Sequence, residues 1–227
     1  LWLGCMGAYD PQGREIVASL VELLRYWDVS FGVLRKERCT GDTARRLGND
    51  LLFQTLAQQN IEQITGSKAG KLLSICPHCV RTLGEDYREF GFSIEIEHHS
   101  EFLARRLSGT GGTSKIVMHD PCYLGRYRSV FDAPRKAASA GGNVIDPPRA
   151  RERSFCCGAG GGLVFLGEER GKRVSVERAE ELLRTGADTI AAACPFCHTM
   201  FRDALATVAP AGPKLLDIAQ IAAATIR

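Results

Sequence analysis

The chain has 227 residues, 44% hydrophobic and 24% charged, with a formal net charge of +3. That length suits one large domain or two small ones with a sizeable core. The weak charge, with no Lys/Arg cluster interleaved with aromatics, argues against nucleic acid as a partner; no apolar run approaches the ~18–20 residues of a membrane helix, and nothing reads as a signal peptide.

LWLG (1–4) reads as a short strand leading to Cys5. Leu1 falls inside this strand and is not a start methionine, so further chain is expected before it. Asp10-Pro11 reads as an N-cap and first helical residue. They open a helix with the apolar stripe Ile16, Leu20, Leu23, Leu24 and Trp27. FGVL (31–34) reads as a strand before Cys39, followed by a helix carrying Leu47, Leu51, Leu52 and Leu56. KLLSI (71–75) is a strand running into Cys76, with a helix starting near Cys79. The glycine-rich stretch SGTGG (108–112) is the best boundary between halves. Beyond it KIVMH (115–119) precedes Cys122, NVI (143–145) precedes Cys156, and TIAAA (189–193) precedes Cys194. A last strand and helix span about Leu215 to Ile226. Alternating strands and helices predict an α/β fold of parallel sheets with helices packed on them. Ligands of such sheets bind beyond the strand carboxyl ends, where each cysteine segment falls.

Nine cysteines are unusual. An odd number is not a complete disulfide framework, and without a secretory signal a reducing cytoplasm is the expected compartment. The cysteines also repeat. Cys122 follows Cys5 by 117 residues and Cys156 follows Cys39 by 117; Cys194 follows Cys76 by 118 and Cys197 follows Cys79 by 118. CPHC (76–79) answers CPFC (194–197), and RCTG (38–41) answers CCG (156–158). The spacing predicts a duplicated unit, 1–110 and 111–227, forming two pseudo-symmetric halves. The first constellation is Cys5, Cys39, Cys76 and Cys79; the second is Cys122, Cys156, Cys157, Cys194 and Cys197. Thr40 stands where the second copy has Cys157.

Thiolates are soft ligands that select zinc or iron–sulfur clusters. Four at the first site satisfy tetrahedral zinc or a [4Fe–4S] cubane; one close pair and two distant ligands suit the bulkier cluster better. Five at the second overfill either. Rival readings are weaker. CPHC and CPFC could be thioredoxin-like dithiols, but the other cysteines recur with them. GAGGG (158–162) is not a phosphate loop, since Leu163 takes the last glycine position and no Lys-Ser/Thr follows. Cys157 could be a spare thiol. His78 and His198 could tune a cluster or cap a helix. His98-His99 could relay protons, with surface histidines the plainer expectation. Arg126, Arg128, Arg151 and Arg153 could offset cluster charge, steer an acidic partner, or lie solvated.

The second copy follows C-x(30s)-CCG-x(30s)-C-x-x-C residue by residue, and at that point the chain resembles the CCG-domain iron–sulfur family, which includes a cluster-bearing component of heterodisulfide reductase. GCMGAYDPQGR (4–14), ERCTGD (37–42), HDPCYLGRY (119–127) and CCGAGGG (156–162) look most like the C-terminal part of the electron-transfer flavoprotein:menaquinone oxidoreductase type. The resemblance implies two [4Fe–4S] clusters: a cubane (or zinc) at the first site, and at the second a noncubane cluster with Cys156 and Cys157 as the catalytic pair. The bare GAGGG would let backbone approach the inorganic sulfurs. It also implies a flavoprotein donor, and haem-bearing membrane and ferredoxin-like segments outside this chain that attach it to the cytoplasmic face of a membrane and pass electrons to quinone. Heterodisulfide or thiol–disulfide reduction is the alternative, and a non-redox zinc scaffold a third. Thr40 departs from the doubled CCG pattern and argues against a noncubane cluster at the first site.

Overall fold

A computed structural model describes residues 1–107, 111–168 and 171–226. The chain divides into two compact units, Leu1–His99 and Ser100–Arg227. Residues 108–110 of the SGTGG stretch lie outside the described residues.

In the first unit, α1 (Gly4–Tyr9) is followed at once by α2 (Pro11–Tyr26). The Asp10 carboxylate accepts the Gly13 N–H at 2.8 Å and Pro11 occupies the first turn, so an otherwise orphaned donor is satisfied and a residue without one is placed where none is needed. The expected stripe of α2 is buried through Ile16, Leu20, Leu23 and Leu24; Trp27 lies just past the helix end. Next come α3 (Asp42–Arg46), α4 (Asp50–Ser67), β1 (Lys71–Ser74), α5 (Pro77–Gly84) and β2 (Glu95–His98). β1 and β2 pair in parallel. LWLG contributes only one parallel bridge, Trp2 to Ser74, with the Trp2 N–H donating to the Leu73 carbonyl at 2.8 Å.

Three expectations for this unit are corrected. FGVL forms no strand: Phe31 and Val33 are exposed, and the segment is tied to the LWLG stretch by the Leu1 ammonium donating to the Gly32 carbonyl at 2.6 Å. The helix starts at Pro77, one residue after Cys76, so Cys76 is its N-cap and Cys79 sits one turn inside. The helix expected to carry Leu47, Leu51, Leu52 and Leu56 is two helices, with Leu47 between them. Gly48, with φ +78°, and the Asn49 N-cap separate α3 from α4. The buried face of α4 is instead Phe53, Ala57, Asn60 and Ile64, while Leu47, Leu51 and Leu52 are 50%, 78% and 45% exposed.

A short helix, α6 (His99–Arg106), spans the division between units. The second unit then runs β3 (Ser114–His119), α7 (Cys122–Arg128), α8 (Asp132–Ala138), β4 (Gly142–Ile145), α9 (Leu163–Leu166), α10 (Val174–Leu183), β5 (Thr189–Ala192), α11 (Pro195–Val208), β6 (Lys214–Asp217) and α12 (Ile218–Ala223). Its sheet is wholly parallel, in the order β4-β3-β5-β6. Ile116, Val117, Ile190 and Ala191 are buried at its centre, with Phe201, Leu182 and Ile218 from the helices. Among the described residues no helix is long and apolar enough to cross a membrane.

Register explains how distant cysteines reach one place. His119 pairs with Ala192 across β3 and β5. The two strands therefore end level, with Cys122 three residues past one end and Cys194 two past the other. In the first unit Trp2 pairs with Ser74, Cys5 is three residues past Trp2, and Cys76 two past Ser74. The same ladder step starts both constellations at strand carboxyl ends, as parallel sheets favour.

Candidate metal centres

The four predicted cysteines of the first unit are linked in succession through their thiols, and none is in a disulfide. The Cys5 thiol donates to Cys39, Cys76 and Cys79 are hydrogen-bonded, and Cys79 lies close enough to Cys5 and Cys39 to repel their negative forms. Cys39 is the acceptor. The Cys5 hydrogen bond and, after it, the Gly41 N–H at 3.4 Å draw its thiol down to about 6, against the opposing effect of burial. Hydrogen bonding to Cys39 and burial push Cys5 up, and Cys79 rises through its bond to Cys76.

The CTG turn is held from behind. Asn60, buried in α4, donates to the Cys39 carbonyl at 3.0 Å and to the Tyr87 hydroxyl at 3.1 Å, and accepts the Arg38 N–H at 3.0 Å. The Tyr87 hydroxyl donates to the Thr40 carbonyl at 3.0 Å. Glu37 accepts the Leu3 and Gly4 N–H groups at 3.0 and 2.6 Å, tying the strand end before Cys5 to the segment before Cys39. His78, between the paired cysteines, binds Asp42 through Nδ1 at 2.9 Å.

In the second unit the five predicted cysteines form an unbroken chain of thiol contacts. Cys122 bonds Cys156, Cys156 bonds Cys157, Cys157 meets Cys197 at 3.3 Å, and Cys197 bonds Cys194. Cys156 is the counterpart of Cys39: it accepts from Cys122, from Cys157 and from the Gly158 N–H at 3.3 Å, which hold its thiol well below the usual range. Cys122, Cys157 and Cys197 are pushed up, each first by its thiol partner. Gly41 and Gly158 take the same left-handed backbone, φ +83° and +90°. A side chain there is strained, and the turn is what aims each N–H at the sulfur two residues back. Cys194 caps α11 as Cys76 caps α5, each followed by proline. The helix starts therefore direct their positive ends toward sites that gather negative charge.

Around these thiols lies a buried polar frame. Asp120 accepts both nitrogens of the Arg135 guanidinium, at 2.6 and 2.9 Å, and the Arg151 N–H at 2.8 Å. Burial opposes its charge, but Arg135 and then Arg151 hold the carboxyl below its usual range. Two of the flanking arginines are structural pairs: Arg126 donates to the Ser154 carbonyl, and Arg151 bonds Asp132 at 2.8 Å. His119, fully buried, has a ring nitrogen within 4.8 Å of the Cys157 and Cys197 sulfurs. Burial first, and then the Arg178 charge, bring His119 down to about 3, so the ring is neutral. His98 and His99, expected at the surface, are fully buried. Their rings meet edge to face at 4.4 Å, and His98 Nε2 contacts the Ile75 carbonyl at 3.2 Å; the alternation of β2 turns His98 inward.

The CCG family of cysteine-rich domains matches residues 1–84 and 116–202. The chain belongs to this family. Among curated relatives it is 39% identical to the "Probable iron-sulfur-binding oxidoreductase FadF" of Bacillus subtilis (strain 168) over 99% of the chain. It is 38% identical to the "EtfAB:quinone oxidoreductase" of Syntrophomonas wolfei over 97%. It is 31% identical to one component of the "Dihydromethanophenazine:CoB--CoM heterodisulfide reductase" of Methanosarcina barkeri over 88%. The chain spans 33% of each of the first two and 52% of the third.

The donor sets suit iron–sulfur ligation, which the name of the Bacillus relative carries. Five converging thiols exceed the four positions of tetrahedral zinc, and the N–H groups reaching sulfur are those that stabilise iron–sulfur ligation. The first unit, with four thiols and Thr40, suits a four-ligand group. Several residues of this frame escaped the sequence reading. Asn60 and Tyr87 carry no motif, and only the turn they support explains them. Trp2 and His119 could have been found, because they share the 117-residue offset of the cysteines that follow them.

Proposed function

We propose that this CCG chain is an iron–sulfur electron-transfer part of a larger oxidoreductase. Cys5, Cys39, Cys76 and Cys79 would hold a [4Fe–4S] cubane, and Cys122, Cys156, Cys157, Cys194 and Cys197 a noncubane [4Fe–4S] cluster. Bound there, the clusters would accept and release single electrons. The continuous chain of five thiols from Cys122 to Cys194 carries this reading, since neither zinc nor a dithiol needs five linked sulfurs. The chain's own contribution is to gather the thiolates at strand ends and to point backbone N–H groups and helix starts at them, which favours the extra negative charge of a reduced state. Electrons would arrive from a flavoprotein and leave toward membrane quinone through segments outside this chain, as the name of the Syntrophomonas relative suggests. The domain division 1–110 and 111–227 would assign one site to each half.

The similarity to a heterodisulfide reductase component favours a second reading, reduction of a disulfide at the Cys156–Cys157 site. The test is rapid mixing of the full-length, anaerobically prepared protein with a reduced electron-transfer flavoprotein. The first reading predicts bleaching of the cluster absorption, then reoxidation by a quinone analogue and not by a mixed disulfide. Reoxidation by the disulfide alone supports the second. Failure to accept electrons from any flavoprotein or dithionite would contradict both.

A further inference from the structure

One position in each unit is unexplained by the thiol geometry. Trp2 and His119 stand 117 residues apart, each three residues before the first cysteine of its constellation, Trp2 in the bridge to the last residue of β1 and His119 at the last paired position of β3. Both rings are buried. Both have a ring nitrogen with no hydrogen-bond partner, Trp2 Nε1 and His119 Nε2. Buried donors without partners are uncommon and call for an explanation.

The surroundings supply one. A methyl group placed on Gly4 would lie 3.1 Å from Cys79 Sγ and 4.0 Å from Trp2 Nε1, so the indole N–H and a thiol of the first site flank one small space that glycine leaves open. In the second unit a His119 ring nitrogen lies within 4.8 Å of the Cys157 and Cys197 sulfurs. The Phe201 ring, one turn after Cys197 on α11, meets His119 edge-on at 4.7 Å. Arg178 Nε donates to His119 Nδ1 at 3.3 Å. Arg178 is itself anchored, by the Glu181 carboxylate and the Arg149 carbonyl, each at 2.9 Å.

Indole nitrogen only donates. Imidazole can do either, and as a metal ligand it would offer a bare nitrogen. A guanidinium has donors only, so the nitrogen facing Arg178 must accept, and the ring proton sits on the other one. We propose that Arg178 locks His119 as an Nε2–H donor to the sulfur of the second site, the counterpart of the Trp2 indole N–H at the first, so that His119 positions and tunes a cluster rather than ligating it. This rests on the cluster reading above. An N–H bond to sulfur is stronger when the sulfur carries more negative charge, and so favours the reduced state.

The test is a redox titration of the full-length, anaerobically prepared protein, each site followed by its own electron paramagnetic resonance signal, with iron counted in parallel. His119→Leu removes the donor, and His119→Gln restores an N–H near the Nε2 position without an imidazole. The proposal expects His119→Gln to keep wild-type iron and midpoint. In His119→Leu the ratio of reduced to oxidised second-site cluster at the wild-type midpoint should fall about tenfold, which is about 59 mV for one electron. Trp2→Phe keeps a ring, removes its N–H, and should lower the first-site midpoint in the same direction. An unchanged midpoint in His119→Leu or in Trp2→Phe overturns the donor role at that site. Loss of second-site iron from His119→Gln overturns it too, because His119 would then be a ligand. If His119→Leu fails to load, the His119→Gln result decides alone. Wild-type protein that loads no iron at the second site would instead overturn the cluster reading.

Discussion

Cys156 and Cys157 are adjacent, yet their roles diverge. Cys156 accepts three hydrogen bonds, as Cys39 accepts two in the first unit, while Cys157 is the extra thiol whose place Thr40 takes. Replacing Cys157 with Thr should leave a folded protein with four thiolates at the second site and an altered resonance spectrum or iron content, whereas Cys156→Ala should empty that site. Identical spectra, iron and turnover in the Cys157 variant would make Cys157 a bystander. Gly158→Ala tests the turn itself. A left-handed alanine costs about 1–2 kcal/mol, and the new Cβ would lie 3.2 Å from Val174 Cβ; chemical denaturation should register that loss, and Gly41→Ala should cost at least as much, since its Cβ would meet Phe53 at 2.9 Å. At this scale the cysteines were legible because they repeat in register. His98 and His99 were misplaced because a polar pair says nothing of burial until the strand before it is paired.

Among the elements, β1, β3, β4, β5 and β6 and the capped start of α2 were legible, because short apolar runs, Asp-Pro and the 3.6-residue stripe are local signals. The errors fell where tertiary pairing decides. FGVL is as apolar as KLLS, but only KLLS is held in a ladder, by β2 on one side and the Trp2 bridge on the other. Leu51 and Leu52 lie on the exposed face of α4, since Gly48 and Asn49 end one helix and start another. Stability measurements on full-length protein separate the two faces: Leu51→Ser should stay within about 0.5 kcal/mol of wild type, while Phe53→Ala should cost about 3–5 kcal/mol. Asp10→Ala should cost about 1 kcal/mol through the lost α2 cap. A large loss from Leu51→Ser would put that leucine in a core.

For the whole molecule, strand–helix alternation was enough to read an α/β fold with parallel sheets, the cysteine offsets enough to read a repeat, and the CCG pattern of the second copy enough to see the family resemblance. What the offsets could not convey is the frame behind the thiols, because Asn60, Tyr87, Asp120 and Arg135 act through contacts that join segments far apart in sequence. The central claim is that nine cysteines make two iron–sulfur sites, one of four ligands and one of five. Iron, acid-labile sulfide and zinc counted per chain, on full-length protein purified without air, test it most directly. The account predicts about eight irons and eight sulfides with no zinc; about four irons with one zinc would reassign the first site, and zinc without iron or sulfide would contradict the claim.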